Sequence, residues 1–166
     1  GSNALVRALA SGADTVDPLP GAASVADSLV VEVPRAARLA LRRIRESDGA
    51  GVCVDDEAIV AAIGRLAAAT GVFGEPAAAA SLAGLDEALE RKLVDRDERV
   101  VLLVTGSGLK DISSSAQSIA IPEAVEAHLD AVMGYLRTAD WMSETARSAP
   151  GQPPAGAGTR GLCVPW

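Results

Sequence analysis

The residues with the most chemical potential lie together in one run, VVLLVTGSGLKD, from Val100 to Asp111. Five apolar residues lead into Thr105, and Gly106 and Gly108 flank Ser107. Glycines directly after an apolar strand can cradle phosphate, let backbone approach a cofactor ring, or turn the chain with φ > 0. A phosphate loop of the form G-x-x-x-x-G-K-[ST] fails here, because the glycine spacing differs and Asp111 follows Lys110. The dinucleotide pattern G-x-G-x-x-G fails at its third glycine, where Asp111 stands. From the pattern alone, a plain strand-to-helix turn competes with a binding turn.

Other chemistry is sparse. His128 is the single histidine, so a histidine-based metal cluster is excluded. It falls among Ala, Glu and Leu on an expected helix and reads as a surface residue. TGSGL does not match the nucleophile elbow G-x-S-x-G. Cys53 and Cys163 fit no metal-ligand spacing. Cys53, within GVCVD, reads as a buried small hydrophobe, and the low cysteine use points to a reducing, cytoplasmic compartment. The acid pairs Asp55-Asp56 and Asp86-Glu87 suit helix starts and solvated faces.

The formal net charge of −7 argues against a nucleic-acid surface. The one arginine cluster, RAARLALRRIRES, reads as the wet face of an amphipathic helix. No run approaches the roughly 20 apolar residues of a membrane span. No signal-peptide core appears at the N-terminus. The chain opens GSNA without an initiator Met, which raises the expectation of a fragment. Aromatics are only 2% against 49% hydrophobic residues, so the core must be built from Ala, Val, Leu and Ile.

These residues must be positioned by a regular alternation of elements. A helix is expected over 3–11, a strand at SLVVEV, and a helix over 35–47 with Ala37, Leu41 and Ile44 inward. AGVCV is a short buried strand. Asp55 then N-caps a helix carrying Ile59, Ile63 and Leu66, which Gly71 ends. The next helix enters at Pro76, with Leu82, Leu85, Leu89 and Leu93 on its core face. RVVLLV reads as a strand buried on both faces, and 121–136 as a last helix. Such alternation predicts an α/β layered fold on a parallel sheet, with ligands at the carboxyl ends of strands. TGSG occupies that address. Residues 1–137 form the folded piece. Residues 138–166, containing SAPGQPPAGAGTRG, form a low-complexity, mostly disordered tail.

Two motifs in order, GVFGEPAAAASLAGL and VVLLVTGSGLKD, resemble the C-terminal part of the threonine synthase family, in the fold-type II, pyridoxal-phosphate-dependent group. GADTVDPLP and the stretch from Ala26 to Ile59 are similar to what precedes those motifs there. The resemblance covers about Gly1 to Leu136. It implies that Thr105 sits beside the pyridine nitrogen of the cofactor, where a neutral hydroxyl can donate one hydrogen bond. It implies that Gly106 and Gly108 let the backbone pass close to the flat ring. Glu75 is either a site-facing acid or a helix-entry carboxylate.

The chain departs from the family at Ala78, where a serine is frequent. It also lacks the family's Schiff-base lysine motif and its polar phosphate loop. Only Lys92 and Lys110 are present, and neither matches the Schiff-base position. The resemblance therefore implies a C-terminal fragment with no catalytic residue of its own and no metal. The cofactor-binding residues that the resemblance implies are Thr105, Gly106 and Glu75. The implied parent reaction converts O-phosphohomoserine and water to threonine and phosphate. A threonine or serine dehydratase, a cysteate synthase-like lyase and a non-catalytic truncated product stay open. The implied partner is a small amino-acid substrate. An Ala/Leu-rich surface on a truncated sheet also leaves a homo-oligomer open.

Overall fold

The computed structural model describes residues 2–119, 124–138 and 161–165. The first helix, α1 (Ala4–Ser11), buries Ala4 and Ala8 and ends at Gly12, which takes the left-handed conformation at φ 71°. Helix α2 (Ala37–Glu46) buries Leu41 and Ile44 and turns Arg38, Arg42, Arg43 and Arg45 to solvent, as its amphipathic pattern requires.

Strand β1 (Gly51–Asp55) alternates, with Val52 and Val54 buried. The Asp55 carboxylate accepts the Ala58 amide at 2.7 Å and caps α3 (Asp56–Thr70). Gly71, at φ 74°, ends α3. Pro76 starts α4 (Pro76–Glu90), where its missing N–H costs nothing. Short helix α5 (Ile112–Ser115) and helix α6 (Leu129–Thr138) follow. The nitrogen Nδ1 of His128 accepts the Ala131 amide at 3.2 Å, so this residue braces the start of α6.

The core lies where α3 and α4 meet over β1. Val54, Ile59, Ala62, Ile63, Ala79, Ala80 and Ala83 pack as one cluster with Ala26. Of the leucines expected on the core face of α4, Leu82 packs against this cluster from its edge, and the others are not part of it. Leu82, Leu85 and Leu89 are only half-buried, and Leu93 lies beyond the helix and is exposed. The α4 residues in the cluster are Ala79, Ala80 and Ala83, packed with Ile59, Ala62 and Ile63 of α3. Small side chains let the helix backbones approach closely, and larger ones are displaced to the flanks. Arg65 bridges the same two helices, reaching Asp86 at 2.6 and 3.1 Å. The hydrogen bond to Asp86 raises the guanidinium pKa, with burial opposing it.

Three expectations are corrected. SLVVEV is no strand: a 3₁₀ turn occupies Asp27–Leu29, and Val31 and Val33 are exposed. RVVLLV is no strand either, and far from being buried on both faces, Val101 is 80% and Leu103 73% exposed. Among the described residues no backbone hydrogen bond engages 99–105. An apolar segment becomes a strand only when a neighbour completes its ladder. The sheet, finally, is not parallel. Among the described residues it is a two-stranded antiparallel ladder of β1 with β2 (Gly161–Pro165).

The β2 segment departs from the expected unstructured tail at these five residues, while 139–160 lie outside the described residues. The ladder sets Cys53 opposite Cys163 along the backbone, and Cys53 is half-buried rather than buried. Of the expected last helix, 121–123 lie outside the described residues and 124–128 are not helical.

The alanine contact yields a direct test. Ala79→Leu adds three carbons at a position fully buried in the cluster that α3 and α4 share, and should destabilise the protein by about 1–3 kcal/mol. Urea denaturation should show this as a lower midpoint with an unchanged slope. A neutral result would mean that the two helices are not in close contact.

Candidate functional site

The connector from Gly71 to Pro76 runs beside the glycine turn. Gly74 and Ser107 form an antiparallel bridge. The Glu75 amide donates to the Gly106 carbonyl at 3.0 Å, and the Gly108 amide donates to the Phe73 carbonyl at 2.9 Å. Residues 73–75 and 106–108 are thus clamped backbone to backbone. The Ser107 hydroxyl accepts the Leu109 amide at 3.3 Å and starts a 3₁₀ turn over Gly108–Lys110.

The glycines have a specific steric duty. A Cβ on Gly106 would stand 2.0 Å from Glu75 Oε1, and one on Gly108 would stand 2.6 Å from Phe73 Cε1. Neither glycine has positive φ. The turn therefore does not need glycine for its dihedrals. It needs glycine because Glu75 and Phe73 fill the space where side chains would sit. In this structure the close approaches are to those two residues.

Glu75 occupies the N-cap position of α4, yet its side chain makes no capping hydrogen bond. It is a buried carboxylate, with a side chain 8% exposed, and pairs with Lys110 Nζ at 3.0 Å through Oε2. The second oxygen, Oε1, lies 3.3 Å from the same ammonium. Glu75 thus stands at a helix entry, with its carboxylate turned onto the glycine turn.

Thr105 lies on the other side of Gly106. It is exposed, and no hydrogen bond among the described residues engages its hydroxyl. It lines an open cleft of about 550 Å³ whose apolar walls are Val72, Phe73, Val104 and Leu109. Gly106 and Ser107 also border this cleft. Glu75 opens instead onto a neighbouring cleft of about 430 Å³, shared with Lys110, Asp111 and Ser113. The structure thus brings Thr105 and Gly106 together at one cleft and places Glu75 behind them. Asp111 is held below its ordinary pKa by hydrogen bonds from the Ser114 side chain and amide.

A cleft with apolar walls and neutral hydroxyls at its rim suits the edge of a flat heteroaromatic ring with an acceptor nitrogen. Lys92 stands just past the end of α4 at φ 57°, exposed. Among the described residues no cluster of three His, Cys, Asp or Glu side chains could hold a metal ion. Phe73 and Lys110 are site residues that the sequence reading did not assign. The signal for Lys110 was the lone acid in the apolar entry VFGEPAAAA, because a buried carboxylate needs a cation.

Comparison with known proteins gives the family context. The pyridoxal-phosphate dependent enzyme family matches residues 1–106. Threonine synthase of Methanosarcina acetivorans is 39% identical over 132 residues, covering 80% of this chain and 33% of that protein. Threonine synthase of Methanocaldococcus jannaschii is 35% identical over 137 residues, covering 82% and 34%. Threonine synthase of Mycobacterium leprae is 34% identical over 116 residues, covering 70% and 32%. The chain spans about a third of the length of these curated relatives.

The steric duty of Gly106 is testable. Gly106→Ala should destabilise the protein by about 1–3 kcal/mol, the usual cost of overpacking. In a Glu75→Ala background the same change should cost far less, because the blocking carboxylate is gone. Thermal melts of the four proteins in this cycle decide the matter. Equal costs in both backgrounds would refute the contact.

Proposed function

We propose that this chain, which belongs to the pyridoxal-phosphate-dependent enzyme family, forms the ring-nitrogen wall of a threonine synthase-like lyase. The parent reaction would convert O-phosphohomoserine and water to threonine and phosphate. The relatives support the reaction class, since those compared bear the name threonine synthase. The observation that carries the residue assignment is the unengaged Thr105 hydroxyl at the edge of the apolar cleft.

When bound, pyridoxal phosphate supplies an electron sink that stabilises carbanions on the substrate. The chain's own part is to bind and orient. The Thr105 hydroxyl donates to an unprotonated ring nitrogen, whereas a carboxylate there would favour the protonated ring. Val72, Phe73, Val104 and Leu109 supply the apolar walls against which the flat ring would lie. Glu75 and Gly106 fix the turn from behind.

Covalent attachment and phosphate binding are assigned to residues outside this chain. Lys92 stands at a helix end, and Lys110 is engaged with Glu75. The piece alone is therefore inactive in this reading. The substrate class is a small amino acid, and the setting cytoplasmic. Among the described residues no helix is long and apolar enough to cross a membrane.

Two measurements test the reading. Incubation with pyridoxal phosphate, borohydride reduction and peptide mapping should give no stoichiometric adduct. A single adduct at Lys110 would overturn the assignment of the covalent step elsewhere. In a chimaera supplying about the first two thirds of a threonine synthase, Thr105→Val should weaken cofactor binding by about 0.5–1.5 kcal/mol. Unchanged affinity and turnover would exclude the ring-nitrogen role.

A further inference from the structure

Glu75 is in an unusual position for a helix-entry acid. Its amide is spent on the Gly106 carbonyl, and its carboxylate fills the space that a Cβ on Gly106 would need. The location of this carboxylate therefore sets the location of Gly106, and with it the direction of the preceding Thr105. A carboxylate this buried is costly unless it is paired. Of the residues lining the cleft behind the turn, the charged ones are Asp27, Glu75, Lys110 and Asp111. Lys110 is the one cation among them, and its Nζ lies within 3.0 Å of Glu75 Oε2.

Lys110 is also tied to the turn through its backbone, because its amide donates to the Ser107 carbonyl at 3.0 Å. It thus links the two clamped segments by side chain to one and by main chain to the other. We propose that Lys110 is a positioning residue that acts through Glu75 to hold the Thr105–Gly106 turn in its cofactor-facing form. The cofactor-facing part of this statement rests on the function proposed above. The Lys110 side chain is 65% exposed. Solvent therefore screens the pair on that side and keeps its share of global stability small. The effect of the pair is local: it orders one turn, and global unfolding is governed by the helix core.

Amide hydrogen exchange of the 166-residue chain separates these effects. Lys110→Met should speed exchange at the Glu75 and Gly108 amides by about tenfold, as expected when a coupled pair is broken. The global melting midpoint should stay in place. Lys110→Arg should restore protection. In a Glu75→Gln background, Lys110→Met should add nothing. Unchanged exchange in Lys110→Met, or an equal increase in the Glu75→Gln background, overturns the proposal.

A second arm uses 4′-deoxypyridoxine 5′-phosphate, which keeps the ring nitrogen and phosphate but has no aldehyde. In the chimaera it should shift the Thr105 amide resonance, and shift it less when Lys110→Met is introduced. An equal shift in both overturns the proposed link between Lys110 and the cofactor-facing form. No shift in the chimaera overturns the cofactor reading itself, and the exchange measurement then decides the role of Lys110 by its own result.

Discussion

Close contact between two helices through alanine is the constraint on which the other positions depend. Ala62 on α3 and Ala79, Ala80 and Ala83 on α4 are essentially removed from solvent. Dispersion between close backbones replaces the large side chains that a core of this size would ordinarily carry. Because β1 runs directly into α3 through Asp55, the strand is fixed once the helices dock. The connector between the helices is fixed too, and that connector carries Phe73 and Glu75.

The site therefore inherits its geometry from the core by a short route. Gly71 ends one helix, Pro76 begins the next, and the few residues between them have little freedom. Their backbone clamps the glycine turn, and their side chains occupy the space that the glycines leave. What faces the cleft is then the Thr105 hydroxyl, with Ser107 beside it, on a rim walled by apolar side chains. The chemistry is concentrated in Thr105 because its neighbours are committed to holding it.

Local features were readable in the amino-acid order, and features needing a distant partner were not. Asp55, Gly71 and Pro76 announce helix ends through the backbone groups beside them, and all three act as their chemistry predicts. The resemblance to the threonine synthase family was legible from two motifs, and the relatives agree with it. SLVVEV and RVVLLV failed as strands because composition records a taste for pairing but does not supply the pair. The leucines of α4 misled because apolar periodicity favours bulk, whereas a close helix contact favours its absence. The link between Glu75 and Lys110 spans 35 positions. No spacing rule reaches that far.

The uncovered run Val100–Val104 has a practical consequence for anyone handling this protein. Five consecutive β-prone side chains with open backbone edges form the kind of window that nucleates cross-β aggregates. Arg96 and Arg99, with the acids around them, stand as charged gatekeepers on one side only. On the other side Thr105 and the glycines offer no repulsion. Salt that screens the gatekeepers weakens their repulsion at this window.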